Sequence, residues 1–213
     1  MSEMTTKTLI LDTAEKLFAN NGFTGTSLRA IIKEAGVNTA SVHYHFGSKE
    51  GLIEEVLRRR AAPLNEKRLE RLDAIESQHA SGPLPVEGVI EAFLVPAIQR
   101  IQAGGELLPR LFGRAIAEPD ESLRAIVHDI FEIVFERFLK AFARALPDLA
   151  PEEVRWRVHF MIGAMVFTVT VPAMHGSDKA SAEDPNRMIQ RLIDFIAAGM
   201  RGPITEPTTR DLS

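Results

Sequence analysis

Apolar residues return every three or four positions along most of this chain, the period of an α-helix with one buried face. In residues 5–21, Ile10, Ala14, Leu17 and Phe18 form one such face. Asn20, Asn21 and Gly22 make a stop, because glycine accepts the left-handed conformation that ends a helix. A second helix is expected from Thr26 or Ser27, either of which can cap it, with Leu28, Ile31 and Ile32 turned inward. Ala35-Gly36-Val37 is a tight turn, and a third short helix spans residues 39–46. Ser48 caps a fourth helix, rich in charge, in which a kink or break is expected near residues 59–62. There Pro63 removes a backbone donor and crowds the preceding turn. After a loop at 79–85, helices are expected at 86–103 (bent at Pro96), 106–117, 121–146, 151–174 and 186–201. Gly104-Gly105, Pro119, Pro147 and the polar stretch 176–185 part them, and the segment 202–213 reads as a disordered tail. Strand alternation and internal repeats are missing from the pattern. The expected fold is all-α, with a three-helix unit over residues 1–50 followed by a larger helical unit over 51–201.

Composition narrows the chemistry. The 45% hydrophobic content of the 213 residues fills a sizeable core. The absence of cysteine excludes disulfides, thiolate metal sites and cysteine nucleophiles, and fits a reducing cytoplasm. The start of the chain lacks the basic-then-apolar pattern of a secretory leader. The longest uncharged run, residues 160–174, is shorter than the ~20 residues a bilayer span needs. A net charge of −4 argues at first against nucleic acid. Residues 1–60, however, carry eight Lys/Arg against seven Asp/Glu, so the acid excess lies in the remainder.

The most informative stretch is residues 22–52. Two short helices around a glycine turn are the layout of a helix-turn-helix, whose second helix enters the DNA major groove. At about 100° per residue, Val42 and Phe46 share one side of the 39–46 helix with His45 nearby, while Thr39, Ala40, His43 and Tyr44 share the other. Thr39 and His43 can donate or accept at base edges, Ala40 suits a thymine methyl, and Tyr44 suits a phosphate. Lys49 stands in the first turn of the fourth helix, where the helix dipole disfavours a cation unless an anion lies outside. Arg29 opens the second helix in reach of a phosphate or a guanine edge. Residues 22–52 resemble the DNA-binding domain of the TetR family of bacterial transcription regulators. The Thr26-Ser27 cap, Arg29, Ala35-Gly36-Val37, Tyr44-His45-Phe46 and Ser48-Lys49-Glu50 carry the likeness. His43 departs from it, since tyrosine is commonest there. The resemblance implies DNA binding through the first three helices, a connecting fourth helix, a C-terminal ligand-binding core and a dimer built on the last two helices. The expected DNA-binding residues are Thr26, Ser27, Arg29, Thr39, Ala40, His43, Tyr44 and Lys49.

In the larger unit, Phe131, Phe135, Phe138 and Phe142 form a single helical stripe. Each residue alone is ordinary core. The surplus of bulky apolar, aromatic and methionine residues, Leu108, Phe112, His128, Phe131, Phe135, Phe160, Met161 and Met165 among them, points to a cavity for a small apolar effector. Arg110, Arg114, His128 and His159 are candidate polar orienters. His128 and Glu132 stand one turn apart, but two ligands make no metal site. No cofactor is expected, and no phosphate loop, nucleophile elbow or HExxH signals catalysis. The 151–174 helix is apolar nearly all round, and Gly163-Ala164 permits close helix approach. A two-fold dimer through Gly163, Ile189, Leu192, Ile193 and Ile196 would cover it. The expected function is a dimeric, ligand-responsive transcription regulator, a repressor released from a palindromic double-stranded operator. The alternative is an all-α small-molecule carrier whose N-terminal element binds another protein.

Overall fold

The computed structural model describes residues 3–102, 107–170 and 185–204, and among these every regular element is a helix. They are α1 (Glu3–Asn21), α2 (Leu28–Ala35), α3 (Thr39–Phe46), α4 (Lys49–Gln78), α5 (Val86–Gln102), α6 (Leu107–Ala117), α7 (Glu121–Ala145), α8 (Pro151–Thr170) and α9 (Pro185–Arg201). The expected link at 104–105, the stretch 176–184 and the tail from 205 lie outside the described residues.

Local chemistry sets the boundaries of the small helices. Ser27 caps α2 by accepting the Ala30 N–H at 3.1 Å, and Asn38 caps α3 by accepting the Ser41 N–H at 2.8 Å. Gly36 ends α2 with φ +63°, a left-handed conformation in which a Cβ would be strained, and its N–H returns to the Ile32 and Lys33 carbonyls. Thr26 does not cap. Its hydroxyl is buried and donates to the Gly22 carbonyl at 2.7 Å, which fixes the turn before α2.

Two apolar clusters are strung along α4. The first joins Ile10, Ala14, Phe18, Ile31 and Val42 of the head to Leu52, Val56 and Leu57 of α4, and also takes in Leu111 and Ala115 of α6. The second gathers Leu64 and Leu72 of α4 with Phe93, Phe138, Phe142, Val158 and Ile193. The change from one core to the other therefore falls between Leu57 and Leu64. Buried Glu15 of α1 ties the head to this point, pairing with Arg59 at 3.2 Å and with Arg60. Lower down, Arg137 of α7 bonds Asp73 and Glu76 at 2.5 and 2.9 Å.

Of the kink or break expected near residues 59–62, the break does not occur. α4 is continuous through Pro63, whose ring is exposed while Ala61 and Leu64 beside it are buried. The lost backbone bond and the ring's clash with the preceding turn together cost about 3 kcal/mol, and anchoring of the opposite face in both clusters outweighs that.

Candidate nucleic-acid interface and effector cavity

On α3 the apolar side holds the helix down and the polar side is left outward. Val42 is buried and Phe46 half-buried, whereas Thr39, Ala40, His43 and Tyr44 are exposed, Tyr44 by 75%. His43 Nδ1 lies 2.9 Å from the Gly47 carbonyl. A carbonyl only accepts, so Nδ1 carries the hydrogen, and in the tautomer with a single ring hydrogen Nε2 is the acceptor. Gly47 reaches that position with φ +71°. Ser48 caps α4 through the Gly51 N–H at 3.1 Å, which sets Lys49 at the first position of α4 beside α3. The Glu50 carboxyl is held below the usual carboxylate range by its own backbone N–H and the Ser48 hydroxyl, so it is engaged locally. On α2, Arg29 and Lys33 are both exposed one turn apart. Lys33 was legible as an i,i+4 partner of Arg29 but does not stand out by residue type alone.

The second concavity is a cavity of about 430 Å³ between α4, α5, α6, α7 and α8, within the ~300–1,000 Å³ span of small-molecule sites. Phe112, Phe131, Phe135 and Met165 line it as expected, with His128 and His159 toward the surface. Phe112 and Phe131 meet edge to face with centroids 5.3 Å apart, and Phe135 meets His159 at 5.2 Å. Buried lining residues (Leu64, Arg68, Phe93, Ala97, Val134) mark a deep end, and exposed ones (Ile116, His128, Glu132, Arg155, His159) mark a mouth. Arg155 at the mouth lies 3.7 Å from Glu136.

The same α6 that lines the cavity also grips the head. Arg114 donates to the Ala19 and Asn20 carbonyls at 3.0 and 2.7 Å. Just past the helix, Glu118 accepts the Phe23 N–H, the Thr24 N–H and the Thr24 hydroxyl, each at 2.8 Å. Burial raises the Glu118 pKa, but these donors outweigh it and hold the carboxyl below its ordinary value.

The fold is thus a helix-turn-helix head on a helical body with a cavity. Residues 10–56 match the family model for bacterial regulatory proteins of the tetR family, and residues 91–199 match the tetracyclin repressor-like C-terminal domain. The chain belongs to the TetR family. It is 33% identical over 128 residues to the HTH-type transcriptional regulatory protein RaaS of Mycobacterium tuberculosis, a match covering 57% of each chain. It is 42% identical over 52 residues to the HTH-type transcriptional repressor KstR2 of Rhodococcus jostii, spanning 24% of this chain and 26% of that one. The chain thus spans little more than half the length of RaaS and about a quarter of KstR2. Among solved structures, FadR from Bacillus subtilis in complex with stearoyl-CoA superposes with a TM-score of 0.69 at 16% identity, covering 90% of this chain and 98% of FadR. The hemolysin II regulator HlyIIR gives 0.62 at 21% identity, covering 93% and 98%. These likenesses show a shared TetR fold.

Within this TetR fold, several expected site residues are relocated. Thr26 leaves the outward DNA-facing set because it is buried and its hydroxyl is used inside the head. Met161 and Phe160 do not line the cavity: Met161 is buried against α9, and Phe160 points to the opposite, solvent side of α8. The Leu108 side chain lies outside the described residues. Arg114, an expected orienter, serves the head instead. Leu192, Ile193 and Ile196 are buried in the chain's own core, with Ile189 packed half-buried on it, so they are not an outward face. Gly163 does face outward, among Trp156, Phe160 and Phe167 of α8 and Phe195 of α9, which are 54–71% exposed. The helical period had located the apolar stripe of α9 but not which way it turns, because Phe195 sits on the polar side. Among the described residues no group of three or more His, Asp or Glu is placed to hold a metal, and no helix is long and apolar enough to cross a membrane.

Proposed function

We propose that this chain is a dimeric transcription regulator of the cytoplasm, with no catalytic step of its own, that binds a palindromic operator as a repressor and is released by a small apolar molecule. The outward polar face of α3, held by a capped turn, with Arg29 exposed on α2 and Lys49 opening α4, carries this reading. Thr39, Ala40 and His43 are the base-reading residues, with Nε2 of His43 suited to accept from an adenine or cytosine amino group. Ser27, Arg29, Tyr44 and Lys49 are the phosphate-side residues. The exposed aromatic face of α8 and α9 is covered by its two-fold mate, which sets two α3 helices about one DNA turn, ~34–36 Å, apart or slightly more. Phe112, Phe131, Phe135 and Met165 hold the effector's apolar body.

The test is selection of bound duplexes from a random pool, followed by titration of the selected operator at several salt concentrations. The expected result is a two-fold symmetric site bound far more tightly than random DNA. Equal affinity for every duplex at physiological salt would end the proposal.

A further inference from the structure

Three charged side chains are buried among the described residues, and two have opposite charges beside them. Glu15 has Arg59 and Arg60. Arg157 has Glu153 at 2.7 Å as well as the carbonyls of Gly199, Met200 and Gly202. Arg68 differs. It is 2% exposed, donates from Nε to the Phe93 carbonyl at 2.9 Å, approaches the Met165 sulfur from Nη2 at 3.7 Å and stacks its guanidinium 3.9 Å from the Phe93 ring centroid. Among the described residues no carboxylate lies within ion-pair distance. Burial pushes its pKa down to about 9, which still leaves the group charged at neutral pH. A guanidinium has five N–H donors, and these contacts use two of them. Its place is the deep wall of the cavity, between Leu64, Phe93, Ala97 and Met165.

We propose that the cavity takes a ligand with one carboxylate and an apolar body, and that it enters carboxylate-first to meet Arg68. The proposal rests on the reading of this cavity as the effector site. An isolated buried cation is expensive to keep unless an anion neutralises it, and the guanidinium fork matches the two oxygens of a carboxylate. One arginine balances one negative charge, and among the described residues no second cation lines the deep end to hold a phosphate dianion. The apolar body then lies along Phe112, Phe131 and Phe135 toward the mouth. An acyl-CoA would have to keep its polyanionic head at the mouth, where Arg155 is already beside Glu136 and Glu132 adds a further negative charge, and would leave Arg68 unneutralised.

The experiment is calorimetric titration of the full chain with decanoate, decanol, methyl decanoate and decanoyl-CoA, and with phenylbutyrate and phenylbutanol. Wild type is expected to bind each acid about 10- to 100-fold more tightly than its neutral partner, the range that charged hydrogen bonds supply. Arg68→Met and Arg68→Gln should lose that ratio by weakening the acids alone, and Arg68→Lys should keep part of it. Arg68→Met also removes a buried charge without a large change in volume, so its melting temperature should be no lower than wild type. The proposal is overturned by neutral partners that bind wild type as well as the acids, by an unchanged ratio in both variants, or by decanoyl-CoA as the tightest ligand. If none of the six compounds binds, the effector-site reading falls and takes this proposal with it.

Discussion

Glu118→Ala is the sharpest test of how the head is held. The carboxylate accepts three hydrogen bonds at 2.8 Å from Phe23 and Thr24, across more than ninety residues of sequence. Hydrogen bonds to a charged group contribute about 1.5–3 kcal/mol each, but Thr24 is exposed and water can replace two of the three. A net loss of about 2–3 kcal/mol is therefore expected, and at ~2–4 °C per kcal/mol for a chain of this size the melting temperature should fall by about 4–12 °C. The pH dependence has a definite sign. The folded-state pKa is below the ordinary glutamate value, so the stabilisation is complete above that value and is lost as pH falls through the lowered one. Denaturant melts between neutral pH and about pH 3 should show wild type losing its advantage over Glu118→Ala in acid. Equal stability of the two at neutral pH, or parallel curves throughout, would refute the reasoning.

Two further outcomes separate the functional surfaces. Phe160→Glu or Phe195→Glu should give a folded monomer in sedimentation with operator binding nearly lost, because both residues are exposed in the single chain. Leu192→Asp should instead unfold the chain by burying an unpaired charge in its core. Lys49→Ala should weaken binding to all duplexes and reduce the salt slope by about one unit, whereas His43→Gln should change which bases are selected.

The helices and the reading head were legible because their signals are local. Ser27, Ser48 and Gly36 sit where caps and turns require them, and the 3.6-residue period divides α3 correctly. What stayed hidden depends on packing between distant segments. Whether the α9 stripe turns inward or outward is decided by α5 and α8, not by its own sequence. The reach of Glu118 to Phe23 and Thr24 has no local mark at all. Arg68 did leave one: it stands at the core register between Leu64 and Leu72, four residues from each. A cation in a leucine stripe is the kind of break in pattern that signals a site. Pro63 works in the opposite way, since the break that its local rule allows yielded to burial of the opposite helix face.

α6 is where cavity and head come closest in covalent terms. Phe112, Gly113 and Ile116 line the cavity, while Arg114, two residues before Ile116, bonds the end of α1. Two residues of helix are about 3 Å of axial rise, so α6 moves both as one rigid piece. A ligand that displaces Phe112 or Ile116 must shift the Arg114 and Glu118 grips or break them. A tenfold change in operator affinity needs ~1.4 kcal/mol of coupling, less than the ~2–3 kcal/mol assigned to the Glu118 grip. The link is therefore strong enough to transmit the signal. Glu118→Ala should bind effector as wild type does, yet show a smaller change in operator affinity at saturating effector. Binding measured around the full cycle of protein, operator and ligand gives that coupling directly. A full wild-type response in Glu118→Ala would move the transmission to α4, whose Leu64 and Arg68 touch the same cavity and whose Leu52 and Val56 share the head's core with Val42 of α3.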